Sequence, residues 1–171
     1  MLELILKSLY FFLPAYFANM APVLLRKLPF GKIPVSEKLF GSHKTWKGII
    51  LATLVGALVF WIQKVSYLNG FTQWAVIDYS DFSLALGFLL GFGAIFGDLV
   101  KSYYKRKAKI KPGKPWPFWD QIDFVLGGLA FSFFVYVPPI EIAVTILVLS
   151  PALHVIVNYL GYLLKINKNR F

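Results

Sequence analysis

Cysteine is absent from the 171 residues, which excludes a disulfide framework, a thiolate metal site and a cysteine nucleophile. Histidine occurs only twice and acids only eight times, so a metal would have to be held by oxygen ligands or by those two imidazoles. Charge is scarce as a whole: 15% of residues are charged, against about a quarter in ordinary soluble domains. The glycine spacing of a Walker A loop is missing, as are internal repeats and low-complexity stretches. What fills the chain is hydrophobic, with 58% apolar residues, 18% aromatic residues and a mean hydropathy of +0.65. That excludes disorder and argues against a water-soluble globule.

A hydrocarbon core of roughly 30 Å needs about 20 helical residues. Five stretches approach that length: 2–25, 48–68, 83–104, 121–137 and 140–164. The expectation is an all-α, polytopic integral membrane protein with about five transmembrane helices, forming one membrane domain over 1–171. The first stretch contains Glu3 and Lys7 and no small-residue cleavage site follows it, so it reads as a retained span rather than a signal peptide. The fourth is short and joins the fifth through Pro138 and Pro139, a pair that cannot continue a helix and fits a tight hairpin.

Against this apolar background the chain carries 18 Lys and Arg and a formal charge of +10. Six of the basic residues lie in 26–47 (Arg26, Lys27, Lys32, Lys38, Lys44, Lys47), seven in 101–119 (Lys101, Lys105, Arg106, Lys107, Lys109, Lys111, Lys114) and three in the tail (Lys165, Lys168, Arg170). The intervening 69–82 loop has none and contains Asp78 and Asp81. Because cytoplasmic loops retain basic residues, the expected topology has the N-terminus outside, the C-terminus cytoplasmic, and cytoplasmic loops at 26–47 and 105–120. The protein would be a multi-pass cell-membrane protein with its functional face toward the cytoplasm. Tyr67, Trp74, Tyr79, Tyr103, Tyr104, Trp116 and Trp119 fall near predicted boundaries, where amphipathic rings favour the headgroup zone.

Three local features exceed what topology requires. The first loop ends in Gly41, Ser42, His43, Lys44, Thr45, Trp46, Lys47 and Gly48 just before a span, joining a flexible turn, hydroxyl donors, two ammonium groups and a helix start, which suits an anion. Asp98 follows Gly91, Gly93 and Gly97 at the end of the third span; an acid at membrane depth needs a partner or a cavity, and the glycines allow helices to approach closely around one. Asp120 and Asp123 open the fourth span three residues apart, so both carboxylates share one helix face. Topology brings all three acids to one membrane face, where they would repel unless a cation lay between them. Carboxylates without thiolates are the ligand set of Mg²⁺, with basic side chains left to hold phosphates. Together they describe phosphoryl or nucleotidyl transfer at a membrane surface.

The run Ser102, Tyr103, Tyr104, Lys105, Arg106, then Lys111, then Asp120, Gln121, Ile122, Asp123 resembles the signature of the CDP-diacylglycerol synthase family. That signature has a lysine–arginine pair, a lysine followed by an acid, and a closing aspartate–arginine–x–aspartate. Pro112 stands in place of the acid, Gln121 in place of the arginine, and Pro115 to Trp119 in place of a His-Gly-Gly stretch. These departures match the archaeal branch, the CDP-archaeol synthases. Asn19 to Pro22, Gly41 to Gly48, Gly97 with Asp98, Lys105 with Arg106, Lys114 to Pro117 and Asp120 to Phe124 carry the resemblance, which runs from about Asn19 to Gly127.

The resemblance implies transfer of CMP from CTP to the phosphate of a geranylgeranyl ether lipid, giving CDP-archaeol and pyrophosphate with Mg²⁺ as cofactor. Asp98, Asp120 and Asp123 are assigned to the metal and, with Lys105 and Arg106, to catalysis. Asn19, Ser42, His43, Lys44, Thr45, Lys47, Gly97 and Lys111 are assigned to substrate. His43 is expected to donate a hydrogen bond rather than act as base, because a phosphate monoester is already ionised near neutral pH. His154 and Asn158 lie four apart and share a face of the last span, where a lone histidine is most often a satisfied interhelical donor. Expected partners are CTP, the lipid phosphate and the bilayer, with no nucleic acid. The alternative is a small transporter or channel component with a basic vestibule; against it, the middle of each span lacks charge.

Overall fold

The computed structural model describes residues 1–25, 28–29, 31, 33–111 and 114–163. Arg26, Lys27, Lys32, Lys165, Lys168 and Arg170 of the basic count, Pro112, and the end of the last expected span at Leu164 lie outside these residues. Among the described residues six helices follow in order: α1 (Leu2–Leu24), α2 (Glu37–Phe40), α3 (Trp46–Leu68), α4 (Ala85–Lys107), α5 (Trp119–Ser132) and α6 (Ile140–Leu163). Among the described residues α1, α3, α4 and α6 are long and apolar enough to cross a membrane, reaching about 35 Å at roughly 1.5 Å per residue.

The helix starts that matter are set locally. Thr45, in extended conformation, accepts a hydrogen bond on its hydroxyl from the Gly48 N–H at 3.1 Å and so caps α3. The preceding loop folds back on itself: Val35 donates its N–H to the Lys44 carbonyl at 2.8 Å, and Trp46 donates to Ile33 at 3.1 Å. This backbone clamp holds Lys44 at the mouth of the bundle.

Helix α4 is the centre, packed against α1, α3 and α5. Where α4 meets α5, a Cβ on Gly97 would lie 2.1 Å from the Asp123 carbonyl oxygen, and one on Gly127 would lie 2.1 Å from the Gly93 carbonyl oxygen. Only glycine permits backbones that close, the device by which helices associate in lipid, where burial of apolar area supplies little drive. Polar groups point inward, where the Tyr16 and Ser150 hydroxyls share a hydrogen bond at 2.8 Å and Gln63 Nε2 donates to the Tyr10 carbonyl at 2.5 Å. Apolar residues point outward. Ile50, Leu54, Leu58 and Trp61 form an exposed stripe along α3, an arrangement suited to a bilayer and unsuited to water. The chain is therefore an all-helical, multi-pass membrane protein.

Two expected features differ in detail. The fourth expected span, 121–137, is realised as α5, whose 14 residues extend only about 21 Å. After Ser132 the chain turns, Tyr136 donating to the Ser132 carbonyl at 2.7 Å, and Pro138 and Pro139 have no N–H with which to resume the ladder. Tyr79, expected at the interface, is fully buried against Tyr10, Phe60 and Tyr67 with ring centroids 5.4–6.0 Å away. Lys64 pins that loop to α3 by donating to the Ser80 and Phe82 carbonyls at 3.0 and 2.8 Å.

Candidate active site

The C-terminal ends of α1 and α4, the N-terminal ends of α3 and α5, and the second half of α6 meet at the end of the bundle that carries the basic loops. Asp98, Lys101 and Lys105 occupy one stripe of α4, three and four residues apart. Lys44 donates to Asp98 Oδ2 across the gap between loop and helix. Lys101 Nζ lies 2.9 Å from Asp98 Oδ1, 2.9 Å from Asp120 Oδ1 and 2.7 Å from Asp123 Oδ2. Lys105 donates to both oxygens of Asp120, at 3.1 and 3.2 Å, and to the Lys114 carbonyl at 2.6 Å.

Three ammonium groups thus face three carboxylates. Asp98 and Asp123 are only 8% and 6% exposed, a burial at which an acid must be paired. The Trp116 N–H donates to Asp120 Oδ2 at 2.5 Å and the Phe124 N–H to Asp123 Oδ1 at 2.7 Å. Asp123 Oδ2 meets Lys101 as an ion pair and has no hydrogen-bond partner of aligned geometry among the described residues. Phe118, at φ 71°, holds a backbone conformation unfavourable for a side-chain-bearing residue in the turn that launches α5. Strain of this kind persists where surrounding structure imposes it, here two residues before Asp120.

A cavity of about 490 Å³ opens beside these charges, lined among others by His43, Lys44, Lys101, Arg106, Lys114 and Asp120. The Nε of Arg106 is buried without a hydrogen-bond partner among the described residues. A second cavity of about 500 Å³ adjoins it and is mostly apolar, with Pro22, Val23, Ile95, Leu99, Val157 and Leu160 in its wall. His43, Lys44, His154 and Asn158 line both. Asn158 Nδ2 lies 3.3 Å from His154 Nδ1, so an amide donating there leaves the imidazole proton on Nε2.

The structure brings Asp98, Asp120, Asp123, Lys44 and Lys105 into one ionic cluster, with His43 and Arg106 on the adjoining wall. Asn19 and Thr45 line the apolar cavity instead, and the Thr45 hydroxyl is occupied as a cap. Gly97 lines neither cavity and stands against the Asp123 backbone. Ser42 and Lys111 are exposed and outside both cavities, while Lys47 donates to the Leu28 carbonyl at 3.0 Å. Among the described residues, no three acidic or imidazole groups stand in a ready-made metal-ligating arrangement, because an ammonium occupies the centre. Sequence reasoning did not assign Lys101 to the site, although its spacing of three from Asp98 lets the two pair on one helix face. It also left His154 and Asn158 outside the site, since nothing local shows that they separate two cavities.

Fold and site together define a multi-pass α-helical membrane protein with a charged cavity beside an apolar one. The family model for CDP-archaeol synthase, CarS-like, matches residues 1–171. The chain belongs to the CDP-archaeol synthase family. It is 36% identical to the CDP-archaeol synthase of Pyrococcus furiosus over 167 residues, 94% of this chain and 95% of that one. It is likewise 36% identical to that of Methanocaldococcus jannaschii over 171 residues, 96% of each chain. A solved structure described as an intramembrane enzyme for archaeal membrane lipids biosynthesis superimposes with a TM-score of 0.68 at 29% identity, covering 90% of this chain and 94% of that one.

Proposed function

We infer that the protein is a membrane-bound cytidylyltransferase that forms CDP-archaeol from CTP and a lipid phosphate in archaeal lipid biosynthesis. Family membership over the whole chain supports this reading and leaves the transporter alternative without support. The observation that carries the site assignment is the convergence of Asp98, Asp120 and Asp123 on one point, next to a cavity where Arg106 has a buried N–H to give.

The polar cavity suits the triphosphate. Arg106 can fork onto two phosphate oxygens while Lys44 and Lys105 act as point charges. The apolar cavity suits an isoprenoid chain, with Asn19 and Thr45 toward its polar end. His43, Lys44, His154 and Asn158, common to both cavities, would then stand where the lipid phosphate meets the α-phosphorus of CTP. A lipid phosphate oxygen attacks that phosphorus and pyrophosphate leaves. The attacking oxygen is already ionised, so the residues orient and neutralise rather than remove a proton. Ser42, Lys47 and Lys111 are left to shape and charge the rim.

Cytidylyl transfer in this family uses a divalent metal, and the donor set here fits Mg²⁺. The ligands are hard carboxylate oxygens gathered round one centre, each within 2.7–2.9 Å of the Lys101 ammonium. Asp98, Asp120 and Asp123 would hold the ion, which when bound neutralises charge on the triphosphate oxygens. The basic loops argue for a cytoplasmic location of this face. The test supplies purified protein with CTP, Mg²⁺ and a geranylgeranyl ether-lipid phosphate and measures CDP-lipid and pyrophosphate together. Formation of both in equal amounts is expected; absence of product across several lipid phosphates and metals overturns the reading.

A further inference from the structure

We infer that Lys101 is a built-in counter-ion of the metal centre: its ammonium holds Asp98, Asp120 and Asp123 together while the divalent cation is absent, and yields that place when the cation arrives. This rests on the reading of the three acids as metal ligands and adds a residue and an exchange that the reading does not contain.

Among the described ion pairs, Lys44 touches only Asp98 and Lys105 only Asp120, whereas Lys101 touches all three acids at 2.7–2.9 Å. A divalent cation held by the same carboxylates would compete for the same space and repel the ammonium. Three clustered carboxylates, two of them buried, would repel one another strongly with neither cation. Lys101 also has somewhere to go, because its side chain lines the polar cavity and a four-carbon stem lets an ammonium swing. The exchange keeps that positive charge beside the cavity while the metal takes over the acids. With three ammonium groups and three carboxylates in the resting cluster, replacement by a divalent ion leaves a surplus of two positive charges, available to a polyanion. The ion and the anion would therefore favour each other's binding.

The experiment titrates Mn²⁺ alone, followed by electron paramagnetic resonance, into the wild-type protein and Lys101→Met in detergent. Thermal midpoints are recorded with and without the ion. In parallel, reductive methylation of the wild type read by mass spectrometry reports how reactive Lys101 is, with exposed Lys38 as internal standard. Removal of the competitor predicts Mn²⁺ binding about tenfold tighter or more in Lys101→Met, with a larger thermal shift than in wild type. It also predicts a severalfold rise in Lys101 methylation when Mn²⁺ is added to wild type, Lys38 being unchanged. Equal Mn²⁺ affinity in both proteins with unchanged Lys101 methylation overturns the inference and leaves the metal reading standing. Failure of both proteins to bind Mn²⁺ overturns the two together. If Lys101→Met folds only with Mn²⁺ present, the counter-ion role is supported directly; if it folds under neither condition, the wild-type methylation result decides.

Discussion

Gly97 of α4 faces the carbonyl of Asp123 on α5 so closely that a Cβ at 97 would sit 2.1 Å from that oxygen. The missing side chain is what lets the Asp123 carboxylate reach the Lys101 ammonium at 2.7 Å. A glycine in the family's motif thus acts through the helix crossing, one residue before the acid that Lys44 and Lys101 share.

Gly97→Ala should force α4 and α5 apart, since the clash is with backbone and no flexible side chain can give way. Overpacking of this kind costs about 1–3 kcal/mol or more. We expect a lower thermal midpoint in detergent together with loss of CDP-lipid formation. A variant with wild-type midpoint and turnover would show that the crossing tolerates a methyl group.

Asp123→Asn keeps the size of the side chain and leaves Lys101 with Asp98 and Asp120, so the protein should still purify folded. Turnover should fall by roughly 100-fold or more, the scale seen when one preorganised electrostatic group is removed. The check is single-turnover CDP-lipid formation under saturating Mg²⁺ beside a thermal melt. Activity close to wild type would remove Asp123 from the metal set.

Arg106→Lys retains the charge but loses the planar fork. A charge-assisted hydrogen bond is worth about 1.5–3 kcal/mol, so the KM for CTP should rise by roughly tenfold while the KM for lipid phosphate changes little. Equal changes in both constants would place Arg106 between the substrates rather than on the triphosphate.

His154→Ala removes a side chain common to both cavities. We expect kcat/KM for the lipid phosphate to fall by about tenfold, the loss of roughly one good hydrogen bond. Asn158→Asp should fall likewise, because a carboxylate facing Nδ1 draws the proton there and takes the donor away from Nε2. A loss in His154→Ala with none in Asn158→Asp would show that the ring matters by its bulk, stacked on Phe124 at 6.1 Å, and not by its proton.

The sequence by itself determined the solvent, the helical class and the chemical vocabulary of the site. Long apolar runs can satisfy their backbones in lipid only as helices, and the spacing of Lys105, Arg106, Asp120 and Asp123 identifies a family because those residues are read along the chain. Fewer things about distance were legible there. That Lys101 stands at the centre of three acids, that Gly97 spaces two helices, that Thr45 spends its hydroxyl on a cap, and that His154 and Asn158 divide two cavities all depend on how α1, α4, α5 and α6 cross. Crossing angle and helical phase are settled by contacts between residues far apart in sequence. The apolar pattern says that a helix forms, while the neighbour each of its faces meets is decided only by packing.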